Sequence, residues 1–255
     1  MSHKRKKKGT RFYIKVFIGL LSCIILLFIV INLFVVKPNI FYPGFEISIP
    51  EGYQIHGIDV SRYQQSINWE EVSQMESRGI KIGFAFIKAT EGISRIDNRF
   101  GRNWKEVQKQ HITRGAYHFY VPGRNPTKQA ENFIGVVDLE PGDLPPVLDI
   151  EKSGRLTVNQ IRNDAKTWLD IVEKKYGVPP IIYTNISFYE KYFDSGFEKY
   201  PIWVAHYLQP DKPRTNKKWH FWQHSETGRV NGIRGMVDFN VFFGDSTEFN
   251  KLRLQ

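Results

Sequence analysis

From residue 55 onward, short apolar runs alternate with stretches in which apolar residues recur at helical spacing. Short apolar runs bounded by polar turns are typical of buried β-strands, and a period near 3.6 is typical of helices that pack one face on a core. The pattern predicts strands at 56–60, 82–89, 115–120, 146–151, 180–184, 201–206, 219–224 and 237–242. It predicts helices at 69–78, 103–110, 125–137 and 158–176.

Strands and helices that alternate in this way favour a parallel α/β barrel. The last third of the chain contains less helical pattern, because loops rich in Pro, Lys, Asn, Gly and Arg separate its strands. We therefore expect a TIM-like (β/α) barrel that is irregular towards its end, over residues 55–255. Residues 37–54 carry several prolines and glycines without a clear period, so we interpret them as a linker.

The N-terminus has a different pattern. Residues 16–36 carry no charge, and as a helix they would span about 31 Å, the thickness of a bilayer core. Residues 1–15 contain seven Lys/Arg and no acidic residue. The positive-inside rule then predicts a cytoplasmic leader at 1–15, a transmembrane signal anchor at 16–36 and an extracytoplasmic barrel. A cleaved signal peptide, which would give a secreted protein, is the alternative, but its apolar region is usually shorter.

The net charge of +10 raises the question of nucleic-acid binding. Residues 1–37 hold eight Lys/Arg and no Asp/Glu, which leaves 28 basic against 26 acidic residues in the remainder. The excess charge therefore belongs to membrane topology, and we expect no nucleic-acid partner. Because Cys23 is the only cysteine, the barrel has no disulfide and depends on its own core.

The main chemical candidate is a pair of acids at the end of the strand at 146–151. Asp149 and Glu151 are two residues apart, so on a strand their side chains share one face, with Cα atoms roughly 6.5 Å apart. Repulsion between two neighbouring carboxylates tends to keep one of them protonated near neutral pH. Strand C-terminal ends are also where α/β barrels place their catalytic residues. An isolated Asp-x-Glu is nevertheless most often a solvated strand end.

Two further acids lie at the ends of the first and last predicted strands. Asp59 ends the first strand and Asp238 begins the last, and these strands are neighbours in a closed barrel. Aromatic residues also cluster at strand ends. For Tyr117, Tyr183 and Trp203, barrel core and sugar-stacking platform are equally compatible with composition, and Gln223 adjoins this group.

Other chemistries lack support in the sequence. His220 and His224 are four residues apart on a predicted strand, so roughly 13 Å separates them, too far for one ion. No nucleophile elbow and no phosphate-binding loop is present. We expect neither a metal nor a cofactor.

Eight segments between roughly residues 55 and 245 form an ordered series. They are Gly57-Ile58-Asp59-Val60-Ser61, Phe86-Ile87-Lys88-Ala89-Thr90-Glu91-Gly92, Gly115-Ala116-Tyr117-His118-Phe119, Pro146-Val147-Leu148-Asp149-Ile150-Glu151, Ile182-Tyr183-Thr184-Asn185, Trp203-Val204-Ala205-His206-Tyr207, Trp222-Gln223-His224 and Val237-Asp238-Phe239-Asn240. In this order they resemble glycoside hydrolase family 25, the lysozymes that act as N-acetylmuramidases on peptidoglycan.

The resemblance implies a barrel with fewer helices than strands and hydrolysis of the β-1,4 bond between N-acetylmuramic acid and N-acetylglucosamine. It implies Glu151 as general acid, Asp149 as its partner, and Asp59 and Asp238 as flanking acids. Asp149 would either stabilise the 2-acetamido group in a substrate-assisted route or take part in an inverting route. The spacing of the pair favours the substrate-assisted route, because it places both acids on one side of the sugar and neither on the opposite side.

Two alternatives stay open at this point: a chitinase-like hydrolase of another N-acetylhexosamine polymer, and a glycan-binding module without catalysis. The expected partners are a peptidoglycan strand and, through the N-terminal segment, a membrane. We expect the chain to be a monomer.

Overall fold

The computed structural model describes residues 3–35 and 40–255, and within the N-terminal helix it describes the side chains of residues 12–28. The helices are α1 (His3–Val35), α2 (Trp69–Gln74), α3 (Phe100–Lys109), α4 (Pro126–Ile134), α5 (Val158–Tyr176), α6 (Ile186–Tyr192) and α7 (Ser246–Leu252), with a 3₁₀ turn at Arg62–Gln64. The strands are β1 (Ile40–Tyr42), β2 (Ile47–Ile49), β3 (Ile55–Val60), β4 (Glu76–Ser77), β5 (Ile80–Glu91), β6 (Arg95–Ile96), β7 (Thr113–Phe119), β8 (Val147–Asp149), β9 (Ile181–Asn185), β10 (Ile202–Ala205), β11 (Phe221–Gly228) and β12 (Val237–Phe242).

Eight of these strands form a closed barrel in the order β3-β5-β7-β8-β9-β10-β11-β12, and β12 returns to pair with β3. The predicted fold class is confirmed, including the scarcity of helices in the last third of the chain. There β10 and β11 are joined by a loop, and β11 and β12 form a hairpin. The expectation of an all-parallel barrel is wrong for β12. That strand is antiparallel to both β11 and β3, because a short hairpin connection reverses the chain direction.

The barrel separates two apolar regions. Inward-facing aromatic and aliphatic side chains fill its interior, namely Phe84, Phe86, Leu144, Val147, Ile181, Tyr183, Trp203, Ala205, Phe221, Phe242 and Phe249. Outward-facing strand residues such as Leu148 and Val204 pack against helix residues such as Val107 and Trp168. The period-2 alternation of each strand produces this division, and the inward-facing side chains fill the interior below the barrel's mouth.

Residues 40–49, which the sequence analysis placed in the linker, form the hairpin β1–β2. Phe45 at its turn is fully buried, and its ring lies 5.0 Å from that of Phe239 on β12. The Arg229 amide donates a hydrogen bond of 2.9 Å to the Phe45 carbonyl. This part of the predicted linker therefore belongs to the barrel's outer layer, while residues 37–39 lie outside the described residues.

The N-terminal segment is helical at His3–Val35. Over the side chains that the structure describes, no helix combines the length and the apolar character needed to cross a membrane. The predicted anchor at 16–36 extends beyond residue 28, and the predicted leader at 1–15 begins before residue 12, so both lie partly outside the described side chains.

Candidate active site

A cleft of about 300 Å³ opens at the carboxyl ends of the parallel strands. All four predicted acids and all four predicted binding residues line it, namely Asp59, Asp149, Glu151, Asp238, Tyr117, Tyr183, Trp203 and Gln223. The structure thus brings together residues that are up to 179 positions apart in the chain. Their individual roles remain predictions.

Strand geometry explains why the acids converge. Asp149 follows the interior residue Val147 by two positions, so it points into the barrel at the top of β8. Asp59 occupies the corresponding place on β3. Asp238 reaches the same rim because β12 runs the other way: its second residue pairs directly with Asp59. In a parallel barrel, the start of the last strand would lie at the opposite end.

Asp149 and Glu151 form an electrostatically coupled pair. Asp149 is 6% exposed, and its Oδ1 has no hydrogen-bond partner, whereas Glu151 is only half-buried. Burial raises the pKa of the Asp149 carboxyl well above its usual range, and the charge of Glu151 raises it further. Burial also raises the pKa of Glu151, although its hydrogen bond with Asp149 opposes that rise. Both pKa values are therefore shifted towards the protonated form, and that of Asp149 is shifted further.

Asp59 and Asp238 form a second pair. Burial, together with the charge of Asp59 and a hydrogen bond to it, raises the pKa of Asp238 to about 9. Burial also raises the pKa of Asp59, but hydrogen bonds from Asn240 and Gln223 stabilise its charged form. Asp238 is therefore the member that holds a proton at neutral pH, and the amide hydrogen bonds favour the charged form of Asp59.

Amide and phenol groups hold Asp59 in place. Its Oδ2 accepts hydrogen bonds of 2.8 Å from both Gln223 Nε2 and Asn240 Nδ2. Gln223 Oε1 in turn accepts the hydroxyls of Tyr183 at 2.8 Å and Tyr207 at 2.6 Å. These bonds fix the amide orientation of Gln223, so its nitrogen can only donate towards Asp59.

The predicted aromatic residues occupy different depths. Trp203 is 2% exposed and stacks on Phe86 at a ring distance of 4.3 Å, so it forms the cleft floor and belongs equally to the barrel core. Tyr183 lies above it, also at 4.3 Å. Tyr117 is half-buried on the wall. The Gln223 amide is already bonded to three protein groups, which suits a positioning role better than direct sugar binding.

Sequence reasoning missed residues that line the cleft, such as Lys88 and Tyr63, and a buried residue, Asn240, that donates a hydrogen bond to Asp59. Asn240 lies two positions after Asp238, so strand alternation alone places it on the same face. Lys88 lies on the inward face of β5 and pairs with Glu91 at 2.8 Å, and it opposes the rise in the pKa of Asp149. Tyr63 is 74% exposed at the rim, a position that no periodic pattern marks.

Among the described residues, no group of three His, Cys, Asp or Glu side chains is arranged to hold a metal ion. The arrangement instead offers two carboxyl pairs with raised pKa values, in a cleft with aromatic walls at the mouth of a β/α barrel. A proton donor beside a second carboxylate is what cleavage of a glycosidic bond requires. Fold and site together define a glycoside hydrolase.

The comparisons with known proteins give the family. The model of the glycosyl hydrolases family 25 matches residues 58–233. Lysozyme M1 of Streptomyces globisporus is 38% identical over 207 residues, covering 75% of this chain and 69% of that protein. An uncharacterized protein, YegX of Escherichia coli O6:H1, is 47% identical over 205 residues, covering 80% of this chain and 75% of that protein. A family 25 glycosyl hydrolase structure from Bacillus anthracis matches with a TM-score of 0.73 at 31% identity, covering 81% of this chain and 96% of that chain. The chain belongs to glycosyl hydrolase family 25.

Proposed function

We propose that this protein is a peptidoglycan muramidase that hydrolyses the β-1,4 bond between N-acetylmuramic acid and N-acetylglucosamine. The observation that carries the proposal is the Asp149–Glu151 pair, a buried and a half-buried carboxyl at the cleft whose pKa values are both raised. Support for the substrate comes from family membership and from the similarity to lysozyme M1.

In the proposed mechanism Asp149 holds a proton in the free cleft and transfers it to Glu151 when the substrate binds. The 2-acetamido N–H of muramic acid donates a hydrogen bond to Asp149, whose Oδ1 is unpaired in the free cleft. Asp149 then becomes an acceptor and loses its proton to Glu151. Glu151, the more exposed acid, delivers that proton to the glycosidic oxygen as the acetamido oxygen attacks the anomeric carbon. Water then opens the oxazolinium intermediate, with Glu151 as general base.

The state of the second carboxyl pair favours this route over inversion. An inverting enzyme needs a free carboxylate to activate water on the far side of the sugar. Asp238 is protonated, and the Oδ2 of Asp59 already accepts two amide hydrogen bonds. Neither acid is available as that base, so retention through the substrate's own acetamido group fits the site better.

Digestion of purified peptidoglycan tests the proposed function. We expect the full chain to release new reducing ends, and borohydride reduction followed by acid hydrolysis should identify them as muramic acid. Glucosamine at the reducing ends, or turnover of chitin oligomers at a comparable rate, would favour the chitinase-like alternative. Binding without release would favour a non-catalytic glycan-binding module.

We further propose that α1 anchors the protein in the cell membrane, with its N-terminus in the cytoplasm and the barrel outside. Support comes from the uncharged run at 16–36, the basic residues before it, and the exposed apolar side chains from Ile14 to Leu27. An exposed apolar surface of this length is stable in lipid and unfavourable in water.

Fractionation of cells tests the anchor. The wild-type chain should sediment with membranes and should keep its uncleaved N-terminus. The double variant Leu21→Lys/Ile25→Lys should be found outside the membrane fraction. The matched control Leu208→Lys/Met236→Lys, at exposed positions of the barrel, should stay in it. Recovery of the wild type only as a shortened soluble chain would support a cleaved signal peptide instead.

A further inference from the structure

Three cations lie on neighbouring loops at one edge of the cleft. Arg124 is in the loop after β7, and Lys152 and Arg155 are in the loop after β8, which also carries Glu151. All three side chains are exposed. We call these residues the basic edge.

The two loops are packed together. β7 and β8 are adjacent parallel strands, and the Tyr120 amide donates a hydrogen bond of 2.8 Å to the Asp149 carbonyl. A Cβ built on Gly154 would lie 3.6 Å from Pro122, so the loop ends also meet. Lys152 is close enough to Glu151 to lower the pKa of that carboxyl against the effect of burial. The basic edge is therefore beside the proposed proton donor.

None of the basic-edge side chains has a carboxylate partner among the ion pairs of the described residues, whereas Lys88, Arg95 and Arg162 are each paired. The cleft beside them is lined by acids, including Glu226 as well as the two carboxyl pairs. Such a cleft repels an anionic substrate unless cations at its edge offset the charge.

The chemistry of the substrate supplies such anions. Muramic acid carries a lactyl ether at O3, and the stem peptide attached there bears free carboxylates. Glu151 must lie next to the bond that is cut, and an extended peptide covers about 3.5 Å per residue. A stem of two or three residues therefore reaches the loop that carries Lys152 and Arg155.

We propose that the basic edge binds the carboxylates of the muramic-acid stem peptide, which makes the enzyme selective for peptide-bearing glycan strands. This inference rests on the proposed muramidase function. It assigns to Arg124, Lys152 and Arg155 a role in substrate selection and no role in the chemical step.

Kinetics on three forms of one substrate test the inference: soluble peptide-bearing strands, the same strands after an amidase has removed the stems, and strands whose peptide carboxylates have been amidated. The full chain is compared with the variant Arg124→Gln/Lys152→Gln/Arg155→Gln. The control variant Lys105→Gln/Lys174→Gln/Lys175→Gln removes equal charge at exposed positions on α3 and α5. Thermal unfolding establishes that both variants are folded.

We expect the basic-edge variant to lose about tenfold in kcat/KM on peptide-bearing strands, since each exposed ion pair contributes a factor of roughly two to five. With each enzyme assayed at its own pH optimum, which removes the effect of Lys152 on the pKa of Glu151, the basic-edge variant should stay within about twofold of the wild type on the stripped and amidated strands. The control variant should stay within about twofold of the wild type on all three strands. An equal loss on all three strands, or no loss on any, would overturn the inference. A wild type inactive on every form would contradict the proposed function and the inference with it.

Discussion

Asp149 and Glu151 differ in their access to water. Asp149 is almost fully enclosed, whereas Glu151 stands at the end of β8, where a glycosidic oxygen can reach it. Enclosure makes Asp149 a better partner for an amide N–H that replaces its missing hydrogen bond. Exposure makes Glu151 the better proton donor to a substrate.

The variant Glu151→Gln should lose a factor of about 10²–10⁴ in kcat, because it removes the proposed proton donor while keeping the side chain's shape. Reducing-end release from peptidoglycan measures this loss. Glu226→Gln, which removes another carboxylate from the same cleft, should lose less than tenfold. Comparable losses in the two variants would mean that Glu151 is not the donor.

Asp238 gives a prediction about stability. Its pKa is raised from 3.8 to about 9, so between these values the folded state holds a proton that the unfolded state has released. The free energy of unfolding therefore falls as pH rises through this window. Asp238→Asn removes that dependence and should be more stable than the wild type at pH 8 by ~2 kcal/mol or more, with little difference near pH 4.

Urea unfolding across pH measures this difference. Asp211→Asn, at an exposed aspartate, should leave the dependence of stability on pH unchanged. A variant Asp238→Asn with the wild-type dependence would show that Asp238 is ionised in the folded cleft.

At the scale of single residues, the sequence contained the spacing of Asp149 and Glu151 but not the location of their proton. Alternation on a strand places both acids on one face. Their pKa values depend on burial in the folded barrel and on the charges of Lys88 and Asp59, which lie on other strands. No local pattern contains that information.

At the scale of secondary-structure elements, the reversed direction of β12 completes the site. The strand's position was predictable from its apolar run, but its direction was not, because the pattern of a strand is the same read either way. Only the short connection from β11 indicates reversal, since a parallel return needs a crossover of a dozen residues or more.

Gly115 on β7 shows how closely the barrel interior is packed. A Cβ at this position would lie 2.6 Å from the ring of Phe86, which itself stacks on the cleft floor at Trp203. Gly115→Ala should cost about 1–3 kcal/mol in stability and should also lower kcat, because the displaced ring moves Trp203. Denaturant unfolding and reducing-end kinetics measure the two effects.

Gly101→Ala provides the control, since a Cβ on this exposed helical glycine meets nothing within 4 Å. It should leave activity unchanged and stabilise the protein slightly. If Gly115→Ala behaved in the same way, the interior would be less tightly packed than the structure indicates.

For the whole molecule, buried histidines limit stability in acid. Burial lowers the pKa of His56 and His220 to about 4 and that of His118 and His224 to about 3. Below pH 6.5 the unfolded chain binds protons that the folded protein excludes, so each of these histidines makes stability fall as pH falls. The carboxyl groups with raised pKa values have the opposite effect, because they make the free energy of unfolding fall as pH rises.

The variant His224→Gln should therefore lose less stability than the wild type between pH 6.5 and about pH 4. The difference should be ~1.4 kcal/mol per pH unit, because unfolding of the variant takes up one proton fewer. Urea unfolding at several pH values measures it. His111→Asn, at an exposed histidine, should follow the wild-type curve. An unchanged acid dependence in His224→Gln would show that His224 is already protonated in the folded state.

The fold as a whole was more predictable from sequence than its boundaries with the N-terminal region. Period and run length located all eight barrel strands. The hairpin at residues 40–49 was missed, because its strands are only three residues long and its turn residues Pro43 and Gly44 resemble a linker. Its burial against Phe239 depends on tertiary contact alone.

The most direct test of the account follows the anomeric proton of the product by NMR during digestion of peptidoglycan. If Glu151 donates the proton and the acetamido group assists beside Asp149, the first product has N-acetylmuramic acid at its reducing end as the β-anomer. A first product with the α-anomer, or with N-acetylglucosamine at the reducing end, would contradict the account.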